Sequence, residues 1–180
     1  PRLLIKAQLC SFKKNNGSIF TDVVTRVQPD KNGGYTISTL EGNTYQASKV
    51  LLTPGAFTNF FDLTDREIAF TIKSEIILLA RVLPKEAARL SALPSLLYEI
   101  ESGITEGIYL IQPVLYPDGH YYLKMGCNLP EDIFFENLGQ VQQWFKQGNS
   151  DQFTGRMRQA LSTIMPGLRT EAFLTKRCVI

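Results

Sequence analysis

The sequence predicts an α+β fold, built mainly on an antiparallel β-sheet with flanking helices. Strand patterns outnumber helix patterns along its 180 residues, and the two kinds occur in mixed order rather than in strict alternation. In addition, Pro117-Asp118-Gly119 separates two apolar, aromatic-rich runs, which predicts a β-hairpin over residues 106–126. A sheet made of hairpins and meanders is therefore expected.

The composition is that of an ordinary globular protein, with 44% hydrophobic and 20% charged residues and a net charge of +2. Because basic and acidic residues are mixed along the chain, we expect neither a nucleic-acid partner nor a membrane partner. Three widely spaced cysteines do not form a disulfide framework, and they favour a reducing, cytoplasmic compartment. The only histidine, His120, lies in the hairpin turn, so neither a metal site nor a Ser-His-Asp triad is indicated.

The first 56 residues predict a helix followed by a three-stranded meander. Apolar positions at three-to-four spacing predict the helix over residues 1–15, where two lysines and a glycine end it. β-branched strand patterns cover residues 19–27, 35–40 and 44–52. The last of these is apolar on both faces, as a strand buried in a larger sheet would be. It leads into Pro54-Gly55-Ala56, a tight turn where the backbone can approach a ligand closely.

The remaining residues predict more strands than helices. Strand patterns cover residues 70–82, 96–101, the two hairpin arms and 171–180. A short helix over residues 84–90 starts with a proline in its first turn. Two longer helices, over residues 137–148 and 151–164, carry apolar stripes that we expect to be core rather than cofactor-binding surfaces.

Lys124 is the chemical candidate that the strand pattern itself provides. On the second hairpin arm, Leu123 and Met125 point to one face of the sheet and Lys124 points to the other. If that other face lines a cavity, Lys124 is a partly desolvated ammonium. The alternative is an ordinary lysine on the wet face of a half-covered sheet.

Three separated stretches resemble FAD-dependent amine oxidases of the D-amino-acid oxidase superfamily, in its sarcosine oxidase-like branch. They are KVLLTPGAFT at 49–58, GIYLIQP to LKMG within 107–126, and MPG to RCVI within 165–180. The resemblance implies that residues 1–56 are part of an FAD-binding domain and that residues 57–180 form the substrate domain, whose sheet covers the flavin ring. The sequence lacks the Gly-x-Gly-x-x-Gly segment that holds the FAD pyrophosphate. The chain therefore resembles the middle of a longer enzyme and is not expected to hold FAD tightly by itself.

The function that the resemblance implies is oxidation of a C–N bond. A secondary amine or an N-substituted amino acid, such as a sarcosine-like molecule, would be converted to an imine, and O2 would be reduced to H2O2. FAD would do this chemistry and the protein would position and tune it. Two alternatives stay open: a related flavin dehydrogenase that uses a protein electron acceptor, and a non-catalytic binding or interaction module.

The resemblance also assigns roles to individual residues. Lys124 matches a lysine that faces the flavin and promotes its reaction with oxygen. Cys178 matches the cysteine that carries the flavin through a thioether in this branch; its alternative role is that of a small buried apolar residue. Gly55 and Ala56 would lie along the cofactor, or would form a plain turn at the end of a strand.

At other positions the sequence departs from the pattern of that branch. Leu110 stands where an active-site tyrosine is expected, and Asn128 stands where a histidine is common. Tyr109 would then supply the catalytic hydroxyl, with Tyr122 as the other possibility, although strand tyrosines are more often packing residues. These departures leave the identity of the amine open.

Overall fold

The computed structural model describes residues 2–31, 33–101 and 105–180. Antiparallel sheets with flanking helices make up the protein, which confirms the predicted α+β class. The chain divides into two compact units, Pro1–Ile68 and Ala69–Ile180. The assignment of residues 1–56 to an FAD-binding domain and of 57–180 to a substrate domain stays a prediction.

The first unit contains the predicted helix and meander. Its elements are α1 (Arg2–Lys14), β1 (Val24–Pro29), β2 (Tyr35–Thr39), β3 (Thr44–Ala47) and a 3-10 helix (Gly55–Phe60). Among the described residues, the three strands pair antiparallel in sequence order, with β2 in the middle. Short glycine-containing turns suffice to join such neighbours, which is why the meander could be read from the sequence.

Two strand boundaries in this unit were predicted wrongly. β3 ends at Ala47 instead of continuing to residue 52, and Leu51 is 87% exposed rather than buried. The reason is the length of the partner strand: Tyr35, the first residue of β2, pairs with Ala47. β1 likewise begins at Val24, which pairs with Thr39 at the other end of β2. An apolar run forms a strand only where a neighbour offers its backbone groups.

The second unit is organised around β4 (Ile72–Val82). The other elements are α2 (Pro84–Arg89), β5 (Leu96–Glu101), β6 (Glu106–Leu115), β7 (Tyr121–Asn128), β8 (Phe134–Phe135), α3 (Leu138–Gln147), a 3-10 helix (Asp151–Phe153), α4 (Thr154–Ile164) and β9 (Ala172–Val179). Six strands of the described chain form one antiparallel sheet, in which β5, β6, β7 and β4 follow one another. β4 also pairs with β9 over most of its length and with the short β8 at its beginning.

The predicted hairpin is confirmed as β6 and β7. Gly119 has φ +83° in the turn, a conformation that glycine adopts without steric cost. The two carboxylate oxygens of Asp118 accept hydrogen bonds from the His120 backbone N–H (3.1 Å) and the Tyr122 hydroxyl (2.9 Å). The turn is therefore held by the side chain that the sequence indicated for it.

Helices α3 and α4 cover one face of this sheet, which we call the helix face. The hydroxyl of Thr175 on β9 donates to Ser150 Oγ (2.8 Å), and the Arg177 guanidinium donates to the Phe145 carbonyl (2.8 Å). Leu78 pairs with Thr175 and lies on this same face. The buried residues of the helix face and its helices include Ile76, Leu78, Ala80, Val82, Ile108, Leu110, Leu123, Met125, Cys127, Val141, Trp144, Met157 and Leu161. The predicted core role of both helical stripes is confirmed at these positions, although Phe145 is exposed.

No helix in the described ranges is both long enough and apolar enough to cross a bilayer.

Candidate functional site

The strand register places Lys124 and Cys178 on the same face of the sheet, opposite to the helix face. Lys124 on β7 pairs with Leu79 of β4, and Cys178 on β9 pairs with Glu75 of β4. Paired residues of antiparallel strands share a face, as do residues separated by an even number along one strand. We call this the Lys124 face. It includes Glu75, Ile77, Leu79, Tyr109, Lys124, Gly126, Lys176 and Cys178.

The predicted orientation of the second hairpin arm is confirmed. Leu123 and Met125 are 0% exposed on the helix face, whereas Lys124 is only partly buried. The Lys124 side chain stands between Leu79 of β4 and Ile111 of β6, its two cross-strand partners. Apolar residues of both neighbouring strands therefore flank Lys124 where its side chain leaves the sheet.

Tyr109 is the nearest aromatic partner of Lys124. The Lys124 Nζ atom lies 5.2 Å from the centroid of the Tyr109 ring, within cation–π range. Tyr109 pairs with Gly126 and its ring lies over that glycine: a Cβ atom there would be 2.1 Å from the ring. Burial raises the pKa of Tyr109 to about 12, so its hydroxyl remains protonated and can donate a hydrogen bond at neutral pH.

Cys178 lies on a strand that is hydrogen-bonded to α3 and the residue that ends it, both at Cys178 itself and at the preceding residue. The Trp144 indole N–H donates to the Cys178 carbonyl (3.0 Å), and the neighbouring Arg177 donates to the Gly148 carbonyl. Cys178 is half-buried, whereas Cys127 is fully buried and burial raises the pKa of the Cys127 thiol to about 12. Of these two cysteines, Cys178 is the one whose side chain is accessible for chemistry.

A charged cluster that the sequence reading missed lies beside these residues. Lys73 Nζ is 2.5 Å from Asp132 Oδ2, 2.9 Å from Asn128 Oδ1 and 3.9 Å from Glu75 Oε2. Glu75 is 3% exposed, and burial raises the pKa of its carboxyl group to about 7. The sequence did contain a sign of this cluster, namely an acidic residue inside the long apolar strand pattern of residues 70–82. Acidic residues are rarely buried without a role.

Of the other predicted site residues, Tyr122 shares the Lys124 face but is engaged at its hairpin end, and the rest lie elsewhere. Leu110 is a core residue of the helix face, and the Tyr122 hydroxyl is engaged by Asp118 at the hairpin turn. Gly55, with φ +59°, and Ala56 open the 3-10 helix of the first unit. Their position relative to the Lys124 face, and with it their role along a cofactor, stays a prediction.

A cavity of about 480 Å³ opens on the helix side of the sheet, and Asp132 of the charged cluster is among the residues that line it. Its lining includes Ser74, Ile76, Glu131, Trp144 and Arg156. Glu131 and Arg156 form a salt bridge there (2.6 Å), so each of these two charges already has a partner. The arrangement on the Lys124 face is therefore the better candidate for chemistry.

Comparison with known proteins leaves the family open. No protein-family model matches the chain, and no curated protein matches it. One solved structure with a distantly similar fold is a candidate FAD-containing monooxygenase from Photorhabdus luminescens subsp. laumondii TTO1, with 12% identity and a TM-score of 0.46. The match covers 92% of this chain and 48% of that one, so the chain spans about half the length of that structure. Similarity at this level assigns neither a family nor an activity.

Proposed function

We propose that residues 69–180 form the substrate-side sheet of a flavin-dependent oxidoreductase that oxidises a secondary amine or an N-substituted amino acid. The observation that carries the proposal is the shared face of Lys124, Tyr109 and Cys178, on a sheet whose other face is packed core. A cation, a hydroxyl donor and a sulfur on one sheet face are the groups that the resemblance requires there. The activity would belong to a protein that contains this chain together with the missing phosphate-binding segment.

The residues of the Lys124 face fit the ring of FAD better than its phosphates. The Tyr109 ring fills the space over Gly126 and offers an aromatic surface, and Cys178 offers a half-buried sulfur that would hold the flavin ring. Residues 1–180 contain no Gly-x-Gly-x-x-Gly segment, so the pyrophosphate would be held by residues outside this sequence. When bound, FAD would supply the acceptance of two electrons from the amine and their delivery to O2.

Lys124 would hold a positive charge where dioxygen gains negative charge. A preorganised ammonium in a partly dry site stabilises that charge without reorienting water. Tyr109 would hold the Lys124 side chain in place through its ring and would present a protonated hydroxyl to the substrate. A dehydrogenase that delivers electrons to a protein would not need the ammonium, which makes Lys124 the residue that separates the two activities.

The test is Lys124→Met in the full-length protein that contains this chain. We expect reoxidation of the reduced flavin by O2 to slow by roughly 10²-fold, because one preorganised charge is lost, while anaerobic reduction by sarcosine changes little. Stopped-flow absorbance measures both steps. Lys176→Met is the matched control: it removes the same charge from an exposed position of the same sheet face. Equal reoxidation in wild type and K124M would contradict the oxygen-activating role and favour the dehydrogenase.

The cofactor itself is tested by colour. We expect the full-length protein to be yellow and the 180-residue chain alone to be colourless. Flavin that stays attached after acid denaturation, and that is released from Cys178→Ser, would support the tether. A colourless full-length protein would contradict the flavin proposal and favour a binding module.

A further inference from the structure

Glu75 is a buried carboxylate whose hydrogen bonds are incomplete. It lies in the middle of the sheet, on β4, between β7 and β9. The residue is 3% exposed, and Oε2 accepts no hydrogen bond from the described part of the protein. A buried polar atom in this condition costs free energy, so natural proteins rarely keep one without a use. The side chain belongs to the Lys124 face, where the proposed substrate would lie.

The nearest cation forms no hydrogen bond with Glu75. Lys73 Nζ is 3.9 Å from Glu75 Oε2, beyond hydrogen-bonding distance, and it directs its hydrogen bonds to Asp132 and Asn128 instead. Each of these two acceptors is at least 1 Å closer to Nζ. Lys73 therefore pairs closely with Asp132, and Glu75 Oε2 remains a hydrogen-bond acceptor without a donor.

The charged and titratable groups around Glu75 come from each neighbouring strand. Lys73 on β4 and Lys124 on β7 favour its ionised form, Asp132 disfavours it, and Tyr109 and Cys178 face it from β6 and β9. Burial is the largest influence and favours the neutral acid. With a pKa of about 7, the carboxyl group exchanges its proton near neutral pH, as a general base must.

We propose that Glu75 Oε2 binds the protonated nitrogen of the amine substrate and takes its proton. The N–H bond of the ammonium breaks, an O–H bond forms at Oε2, and the products are a neutral amine and a neutral carboxylic acid. The ammonium–carboxylate pair before the transfer and the two neutral groups after it both have a net charge of zero. The neutral amine keeps its lone pair, which an ammonium cannot donate when its C–N bond is oxidised. This inference rests on the proposed function and defines its substrate class as amines with at least one N–H group.

The binding step is tested without turnover, in the full-length protein labelled with ¹³C at the glutamate carboxyl carbon. Glu75→Gln identifies the Glu75 signal by removing it, and the signal is followed by NMR as dimethylammonium chloride is added. We expect dimethylammonium to shift this signal and tetramethylammonium, which has no N–H, to leave it unmoved. If dimethylammonium fails to move the Glu75 signal, the inference is wrong.

The affinity is compared in the same variants. We expect E75Q to weaken dimethylammonium binding by roughly 10-fold to 100-fold in calorimetry, because a charge-assisted hydrogen bond is lost. Glu131→Gln is the matched control, since it removes a carboxylate that Arg156 already pairs and should leave the affinity unchanged. If E75Q does not fold, Glu75→Asp, which keeps a carboxylate but carries no glutamate label, identifies the signal, and the wild-type NMR titration decides. Equal affinity in wild type and E75Q would overturn the inference.

The proton transfer has its own readout. We expect the rate of anaerobic flavin reduction by sarcosine to rise with pH through the Glu75 titration in wild type, and this rise to disappear in E75Q. An unchanged pH profile in E75Q would overturn the role as proton acceptor. Failure of the flavin proposal is seen separately, as a colourless full-length protein, while the NMR titration still reports on Glu75.

Discussion

The two faces of the sheet in the second unit are made by the same strands but differ in what their side chains do. On the helix face, Leu78, Leu123 and Met125 have no exposed surface. On the Lys124 face, the alternate residues of these strands include Glu75 and Lys124, and the neighbouring strand adds Tyr109. Because the side-chain period of a strand is two, one strand can serve a core and a candidate site at once. Stability is therefore expected to come mainly from one face and chemistry from the other.

The largest expected effect tests this division through core packing. Leu78→Ala on the helix face should lower the free energy of unfolding by about 3–5 kcal/mol, because it removes a fully buried side chain and leaves a cavity. Leu174→Ala, at a 45% exposed position of the Lys124 face, should cost less than about 1 kcal/mol. Urea unfolding followed by circular dichroism measures both. Similar losses of unfolding free energy in the two variants would show that both faces contribute equally to stability.

The next effect concerns pH and the buried carboxylate of the Lys124 face. The folded pKa of Glu75, about 7, is above its ordinary value of 4.5, so the folded chain keeps a proton that the unfolded chain releases. Stability should therefore fall as pH rises from about 4.5 to 7, by roughly 3 kcal/mol in total. Glu75→Gln should remove this slope. Urea unfolding at a series of pH values measures it, and an unchanged slope in E75Q would contradict the assignment.

Glu86 provides the opposite case for comparison. Its hydrogen bonds with the Arg89 guanidinium lower the pKa of the Glu86 carboxyl to about 2. A lowered folded pKa contributes stability above pH 4.5, and this contribution is lost as the pH falls through about 2. In the same titration series, Glu86→Gln should reduce the pH dependence of the unfolding free energy only at acid pH. Glu75→Gln should reduce it only between about pH 4.5 and 7.

The smallest expected effect concerns the contact between Tyr109 and Gly126. Gly126→Ala places a methyl group 2.1 Å from the Tyr109 ring, so the ring must move, at a cost of about 1–3 kcal/mol. In a Tyr109→Ala background the same substitution should cost much less, because the clashing ring is absent. A double-mutant cycle in urea unfolding measures the difference. Equal costs in both backgrounds would mean that Tyr109 does not lie over Gly126.

Local signals predicted most of the elements but not their partners. The Pro117-Asp118-Gly119 turn predicted the β6–β7 hairpin, since its cause is contained in adjacent residues. The pairing of β9 with β4 joins residues about a hundred positions apart, and no pattern in either strand specifies it. The end of β3 was missed for the same reason: it depends on where β2 begins.

The candidate site shows the same limit. Alternation along β7 predicted that Lys124 would leave the face of Leu123 and Met125, because this needs only the strand period. The resemblance implied that Cys178 would share a face with Lys124, but no local pattern indicates it, because it depends on the register of three strands. Glu75 was missed because its importance comes from burial and from a lysine that is occupied elsewhere, which are properties of the assembled sheet.

The antiparallel pairing of β4 on both of its edges limits which insertions and deletions the strand can accept. Deleting or inserting a single codon inside β4 would shift every later residue of the strand to the other side, so that Leu78 would take the place of Leu79, and a deletion before Glu75 would put Ile76 in the place of Glu75. Changes of two codons keep the parity, and changes in the loops avoid the problem. Related genes that retain the same chemistry should therefore vary in loop length while β4 keeps its parity.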